Sequence, residues 1–141
     1  MKIQTLTLNL NTSQPIEIID ISPQVKKFVE NSSVKNGFLS INSMHTTMAV
    51  IVNEWCEHLR EDILSFFSKL APAHEDYQHN RHSLDGRPNA HSHLLSALLS
   101  SHQGLVVAEG RLLLGEWQSI FAVELDGSRP LRKVVLTLLG E

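Results

Sequence analysis

Polar and apolar residues alternate from Lys2 to Leu8 and again through Pro15-Ile16-Glu17-Ile18-Ile19, the period of a half-buried β-strand. The polar stretch Asn11-Thr12-Ser13-Gln14 between them reads as a turn, so residues 1–10 and 15–19 are expected to form a hairpin. Ser22 then offers an N-cap, Pro23 suits the first helical turn, and Val25, Phe28 and Val29 share one face of a helix that runs until Asn36-Gly37. Two short apolar runs, 38–41 and 48–52, read as strands, with His45-Thr46-Thr47 between them or at the start of the second. From Glu54 to Leu70 the positions Cys56, Leu59, Ile63, Phe66, Phe67 and Leu70 recur at helical spacing, with Glu57, Arg60, Glu61 and Asp62 on the other face.

Residues 71–88 lose all periodicity, contain Pro72, Gly86 and Pro88, and hold His74, His79 and His82 among polar neighbours. A loop of this length in a small domain is usually functional or disordered, and here it is placed to seal a site. Asn89 begins another helix with Leu94, Leu95, Ala97, Leu98 and Leu99 on its apolar side. Four strands follow at 105–108, 111–114, 117–125 and 131–139, joined so tightly that they are expected to be antiparallel neighbours. The order ββαββααββββ predicts an α+β domain over residues 1–141, a mainly antiparallel sheet core with about three helices packed on it.

Composition narrows the class. A hydrophobic share of 42% and a charged share of 19% suit one globular core, and no run approaches the ~18 apolar residues of a membrane span. A formal charge of −3 argues against nucleic acid as the partner. The alternating start lacks a secretory apolar stretch, and the lone Cys56 cannot form an internal disulfide, so a cytoplasmic setting is expected and Cys56 reads as packing.

Eight histidines carry the candidate chemistry. His45, His79 and His93 each fall where an element begins or ends, so the fold can gather them from distant segments. One reading is a three-imidazole site for a divalent ion with an open position, zinc-type favoured and magnesium possible; a second is metal-free acid–base work; a third is ordinary hydrogen bonding. Glu54, at a strand-to-helix junction, either orients a histidine or acts as a base, or only complements a helix N-terminus. Asn89 reads as a cap before a ligand, and Arg132 as an anion clamp or an ion pair. Thr46 and Thr47 offer hydroxyls to an oxyanion or cap a turn. Trp117 and Gln118 are adjacent on a strand and face opposite ways. His91 and His93 are two apart, roughly 200° around a helix, and do not easily share one ion. His58, His74, His82 and His102 read as solvated or packing groups. His58-x-x-Glu61 lacks the second histidine of a metalloprotease helix, and neither a glycine-rich phosphate loop nor a nucleophile-elbow serine is present.

Taken in order, His45-Thr46-Thr47, Asn53-Glu54, Tyr77-x-His79, Asn89-Ala90-x-x-His93-Leu94, Gly110-x-x-x-x-Gly115-x-Trp117-Gln118-x-Ile120 and Arg132 resemble the YjbQ family, also called the secondary thiamine-phosphate synthase enzyme family. The resemblance runs from about residue 3 to 141. It implies an α+β homotrimer and a weak synthase activity joining a hydroxymethylpyrimidine diphosphate to a thiazole phosphate with release of diphosphate. It implies no organic cofactor, a polar site able to hold a metal at His45, His79 and His93, catalytic roles for these and Glu54, and contacts to a small phosphorylated substrate from Thr46, Thr47, Asn89, Gln118 and Arg132. A non-catalytic metal- or ligand-binding module is the alternative. Two departures stand out: Arg87-Pro88-Asn89 occupies the place of paired aspartates, leaving Asp85 as the nearest acid, and Ser100-Ser101-His102-Gln103-Gly104 replaces a small-residue turn.

Overall fold

The computed structural model describes residues 1–141. Its elements are β1 (Lys2–Leu10), β2 (Glu17–Asp20), α1 (Ser22–Glu30), β3 (Gly37–Ser43), β4 (Met48–Glu54), α2 (Glu57–Leu70), α3 (Gln78–His82), α4 (Ala90–Leu99), β5 (His102–Ala108), β6 (Arg111–Leu112), β7 (Gln118–Glu124) and β8 (Arg132–Gly140). The α+β class and the antiparallel pairing hold, with a fourth, one-turn helix inside the long loop.

The pairing differs from the hairpin expectation. Strands β1-β8-β3-β5-β6 form one sheet and β2-β7-β4 a second, so β1 and β2 lie in different sheets, as do β6 and β7 and β7 and β8. Of the four late strands only β5 and β6 are hydrogen-bonded neighbours. Loop length alone misled here, because a chain crossing between two stacked sheets needs no more residues than one turning back.

The two sheets enclose the larger core, where Leu39, Ile41, Leu136 and Leu138 meet Met48, Val50, Ile120 and Ala122, with Val25 and Val29 of α1 closing the side. On the opposite face of the three-stranded sheet Ala49, Phe121 and Val123 pack under Phe67 of α2 and Leu95 of α4. The three-stranded sheet is therefore buried on both faces, which explains its continuous apolar run at 120–123. The outer face of the five-stranded sheet carries no helix and shows Ile3, Phe38 and Val106 to solvent. No helix is long and apolar enough to cross a membrane.

Helix boundaries correct two expectations. α1 stops at Glu30, and Val34, although fully buried, lies in the turns beyond it. Ser22 is not the cap: its amide donates to Asp20 Oδ1 at 2.9 Å, and its hydroxyl accepts the Ile120 amide at 2.7 Å, tying α1 to β7.

Candidate functional site

The site grows from a buried ion pair. Glu124 ends β7 and Arg132 starts β8, both in a core that tolerates a charge only when it is paired and hydrogen-bonded. Arg132 Nε donates to Glu124 Oε2 at 2.7 Å and Nη2 to Oε1 at 2.5 Å, while Nη2 also reaches Thr47 Oγ1 at 2.9 Å. The Thr12 hydroxyl and the amides of Leu125 and Asp126 complete the carboxylate's partners. Burial alone would raise the Glu124 carboxyl, but these hydrogen bonds, led by Arg132, hold it below its usual range. Arg132 is thus spent on Glu124 and Thr47 rather than left free as an anion clamp.

Above this floor stands a relay that the sequence did not disclose. Asp126 Oδ2 accepts Asn89 Nδ2 at 2.9 Å and Arg129 Nη2 at 2.6 Å, and Arg87 Nη1 stands 3.7 Å away. Burial pushes Asp126 up, yet the bonds from Asn89 and Arg129 outweigh it and hold the carboxyl low. With its amide nitrogen committed to Asp126, Asn89 presents Oδ1 to His79 Nε2 at 3.0 Å. That oxygen can only accept, so His79 puts a proton on Nε2, and in its neutral form the ring keeps its lone pair on Nδ1. Asn89 occupies the N-cap position of α4 but caps nothing with its side chain. Asn80 Oδ1 does that work, taking the Ala90 amide at 2.9 Å.

His93, one turn into α4, meets the His79 ring edge-on at a centroid distance of 4.8 Å. It also lines, with His45, Thr46, Asn89, Asp126 and Arg129, an open hollow of about 280 Å³ over the ion pair. His45 lies in the β3–β4 turn, where its Nε2 accepts the Lys133 amide at 2.8 Å. An amide only donates, so the neutral His45 ring must hold its proton on Nδ1. Burial, then the positive charge of Arg132, lowers the pKa of His45 and favours that neutral form. The two rings therefore have opposite tautomers.

This arrangement bears on the expected ion. His45 in this geometry has no lone pair left to give, and no three His, Cys, Asp or Glu side chains gather in a ligating group. His79 and His93 stand together; His45 joins them as a hydrogen-bonding group. The residues present do not fit a three-imidazole centre.

Two expected site residues lie elsewhere. In the β4–β7 ladder Met48 pairs with Glu124 at the hollow, whereas Glu54 pairs with Gln118 at the opposite end. Six strand steps separate them, roughly 20 Å. Glu54 is exposed there, and Gln118 Oε1 accepts the Gly115 amide at 2.8 Å, closing a turn. Thr46 lines the hollow, while Thr47 is buried in the floor. His91 stays out of that hollow, and its buried Nδ1 has no partner, which nothing in the structure explains.

Among the residues missed, Glu124 left a signal: an acid inside the run Ile120–Leu125, in a strand with apolar residues on both faces, must find a cation, and Arg132 is near in the chain. Asp126 and Asn80 left none, being ordinary turn and loop residues.

An α+β sandwich with a histidine-lined hollow over a buried Glu–Arg pair defines the class of protein. The chain belongs to the family described as UPF0047 protein YjbQ-like, whose model matches residues 6–141. It is 39% identical to a UPF0047 protein of Methanothermobacter thermautotrophicus over 141 residues, all of this chain and 95% of the relative. It is 32% identical to UPF0047 protein YugU of Bacillus subtilis, covering 95% of this chain and 98% of that one. The crystal structure of a YbjQ-like protein of unknown function from Sulfolobus solfataricus superposes with a TM-score of 0.94 at 36% identity, over 99% of both chains.

Proposed function

We propose that this chain is a homotrimeric enzyme that moves a proton on a small phosphorylated substrate, with thiamine-phosphate synthesis as a slow side reaction. The observation that carries this reading is the Asp126–Asn89–His79 relay. A carboxylate and an amide fix one imidazole with its Nδ1 lone pair unused, beside a second imidazole and a third that offers Nδ1–H. A fixed lone pair near neutral pH is a general base, and a fixed N–H steadies a developing oxyanion.

The charges around the hollow support a slow condensation. Arg132 is committed to Glu124, Arg129 to Asp126, and Arg87 stands between Asp85 and Asp126, so each of these arginines already faces a carboxylate when a diphosphate departs. A three-imidazole ion has no role in this mechanism, because His45 has no lone pair to give it. The uncovered apolar residues of the five-stranded sheet and of α4 support self-association.

The test is thiamine-phosphate formation from the pyrimidine diphosphate and thiazole phosphate by wild-type, His79→Ala and Asn89→Ala proteins of verified fold. A loss of 10²-fold or more in His79→Ala is expected, on the scale of general acid–base catalysis. Unchanged rates in both variants would move the chemistry away from this hollow.

A further inference from the structure

The end of the β4–β7 ladder remote from the histidines leaves two indoles and a carboxylate exposed. Trp117 is 69% exposed and Trp55 45% exposed, and the Glu54 carboxylate accepts no hydrogen bond. Trp55 is held from behind by Phe121, at a centroid distance of 5.4 Å, and lies under the Arg60 guanidinium, while Trp117 projects with no aromatic or cationic neighbour. At the histidine end α4 presents Leu94 and Leu98, one turn apart and 51% and 67% exposed, directly beside His93.

The two ends are chemically complementary. The hollow offers imidazoles; Glu124 and Asp126 beneath them are already bound to arginine and asparagine, and the exposed Asp85 at its rim accepts from the Ser83 hydroxyl and the Arg87 amide. The far end offers a carboxylate that accepts no hydrogen bond and a flat indole, with His58 in the first turn of the helix that follows. Each places an apolar shelf beside those polar groups. Within one chain roughly 20 Å of β-ladder keeps them apart.

We infer that each site is built from two chains: His45, His79 and His93 from one copy, and Glu54 with Trp117 from its neighbour, seated on the Leu94–Leu98 shelf of α4. Because the joined patches differ, the contact is heterologous, and a heterologous contact that closes makes a ring. This rests on the homotrimer reading above. It adds that the protomer's hollow is half a site. In the ring, Glu54 brings the imidazoles a carboxylate that no group of its own chain holds, and the Trp117 indole gives a heteroaromatic substrate ring a face to stack on.

The decisive experiment installs a photoreactive residue, Trp117→p-benzoylphenylalanine, in the full chain, with native mass read before irradiation. Mixing isotope-labelled and unlabelled chains separates adducts between copies from those within one. The expected result is a trimer whose adducts join copies and map to residues 89–101. A trimer with adducts elsewhere, or only within one chain, overturns the shared site and leaves the homotrimer standing. A wild-type chain that stays monomeric across the micromolar range overturns both. If the Trp117 variant does not assemble, Glu54→p-benzoylphenylalanine, directly across the ladder at Gln118, is judged by the same outcomes.

Discussion

The two ends of one β-ladder have opposite constructions. At the Met48–Glu124 end both central carboxylates are locked: Glu124 by Arg132, Thr12 and two amides, Asp126 by Asn89 and Arg129. At the Glu54–Gln118 end the carboxylate and Trp117 stand in solvent. Pre-organisation of a reactive group needs neighbours whose own partners are settled, and only the first end has them. The second end is built to be completed from outside.

The contrast is broken most severely by Arg132→Ala, which strands the Glu124 carboxylate in the core. A loss of about 3–5 kcal/mol in denaturant-unfolding free energy is expected. A paired replacement, Glu124→Leu with Arg132→Met, is expected to recover much of that loss by removing both charges together.

Acid should act on the locked end in two stages. His45 and His91 have pKa values lowered in the fold, with burial the leading cause, so the stabilisation each lends is present above the unfolded value of 6.5 and fades as pH falls through it. Glu124 and Asp126 are also held low, so their share persists until pH drops below the unfolded values of 4.5 and 3.8 and is lost towards the folded ones. Denaturation midpoints from pH 8 to 3 should show both steps, and Glu124→Gln should shrink the second. A midpoint that rises on acidification would contradict these signs.

Finer substitutions separate the two asparagines. Asn89→Ala is expected to cost about 1–3 kcal/mol by leaving the half-buried Asp126 short of a donor, and to release the His79 tautomer. Asn80→Ala should cost about 1 kcal/mol as a lost helix cap and leave that tautomer unchanged. At the open end Glu54→Gln should shift protomer stability by less than about 0.5 kcal/mol.

Much of the element order was legible, because strand and helix periods and the punctuation at Asn36-Gly37, Pro72 and Pro88 are local properties of the chain. Sheet membership was not: β1 and β2 read as a hairpin across four polar residues, yet they belong to different sheets. Which strand lies beside which is decided by burial shared among segments far apart. For the site, the spacing singled out His45, His79 and His93, and the fold sets His93 ring to ring with His79 and on the same hollow as His45. Their lone pairs were beyond the sequence. His45 is spoken for by the amide of Lys133, 88 residues away, and His79 by an asparagine expected to cap a helix. Glu54 and Gln118 show the converse, since proximity in a list of motifs carried no register, and the ladder put them at its other end.

The opposite tautomers of His45 and His79 are open to direct observation by long-range nitrogen–proton correlation of the imidazole rings in nitrogen-15-labelled protein near pH 8. His45 should appear with its proton on Nδ1 and His79 with its proton on Nε2. A His45 ring protonated on Nε2, or a His79 ring averaging between both forms, would contradict the account.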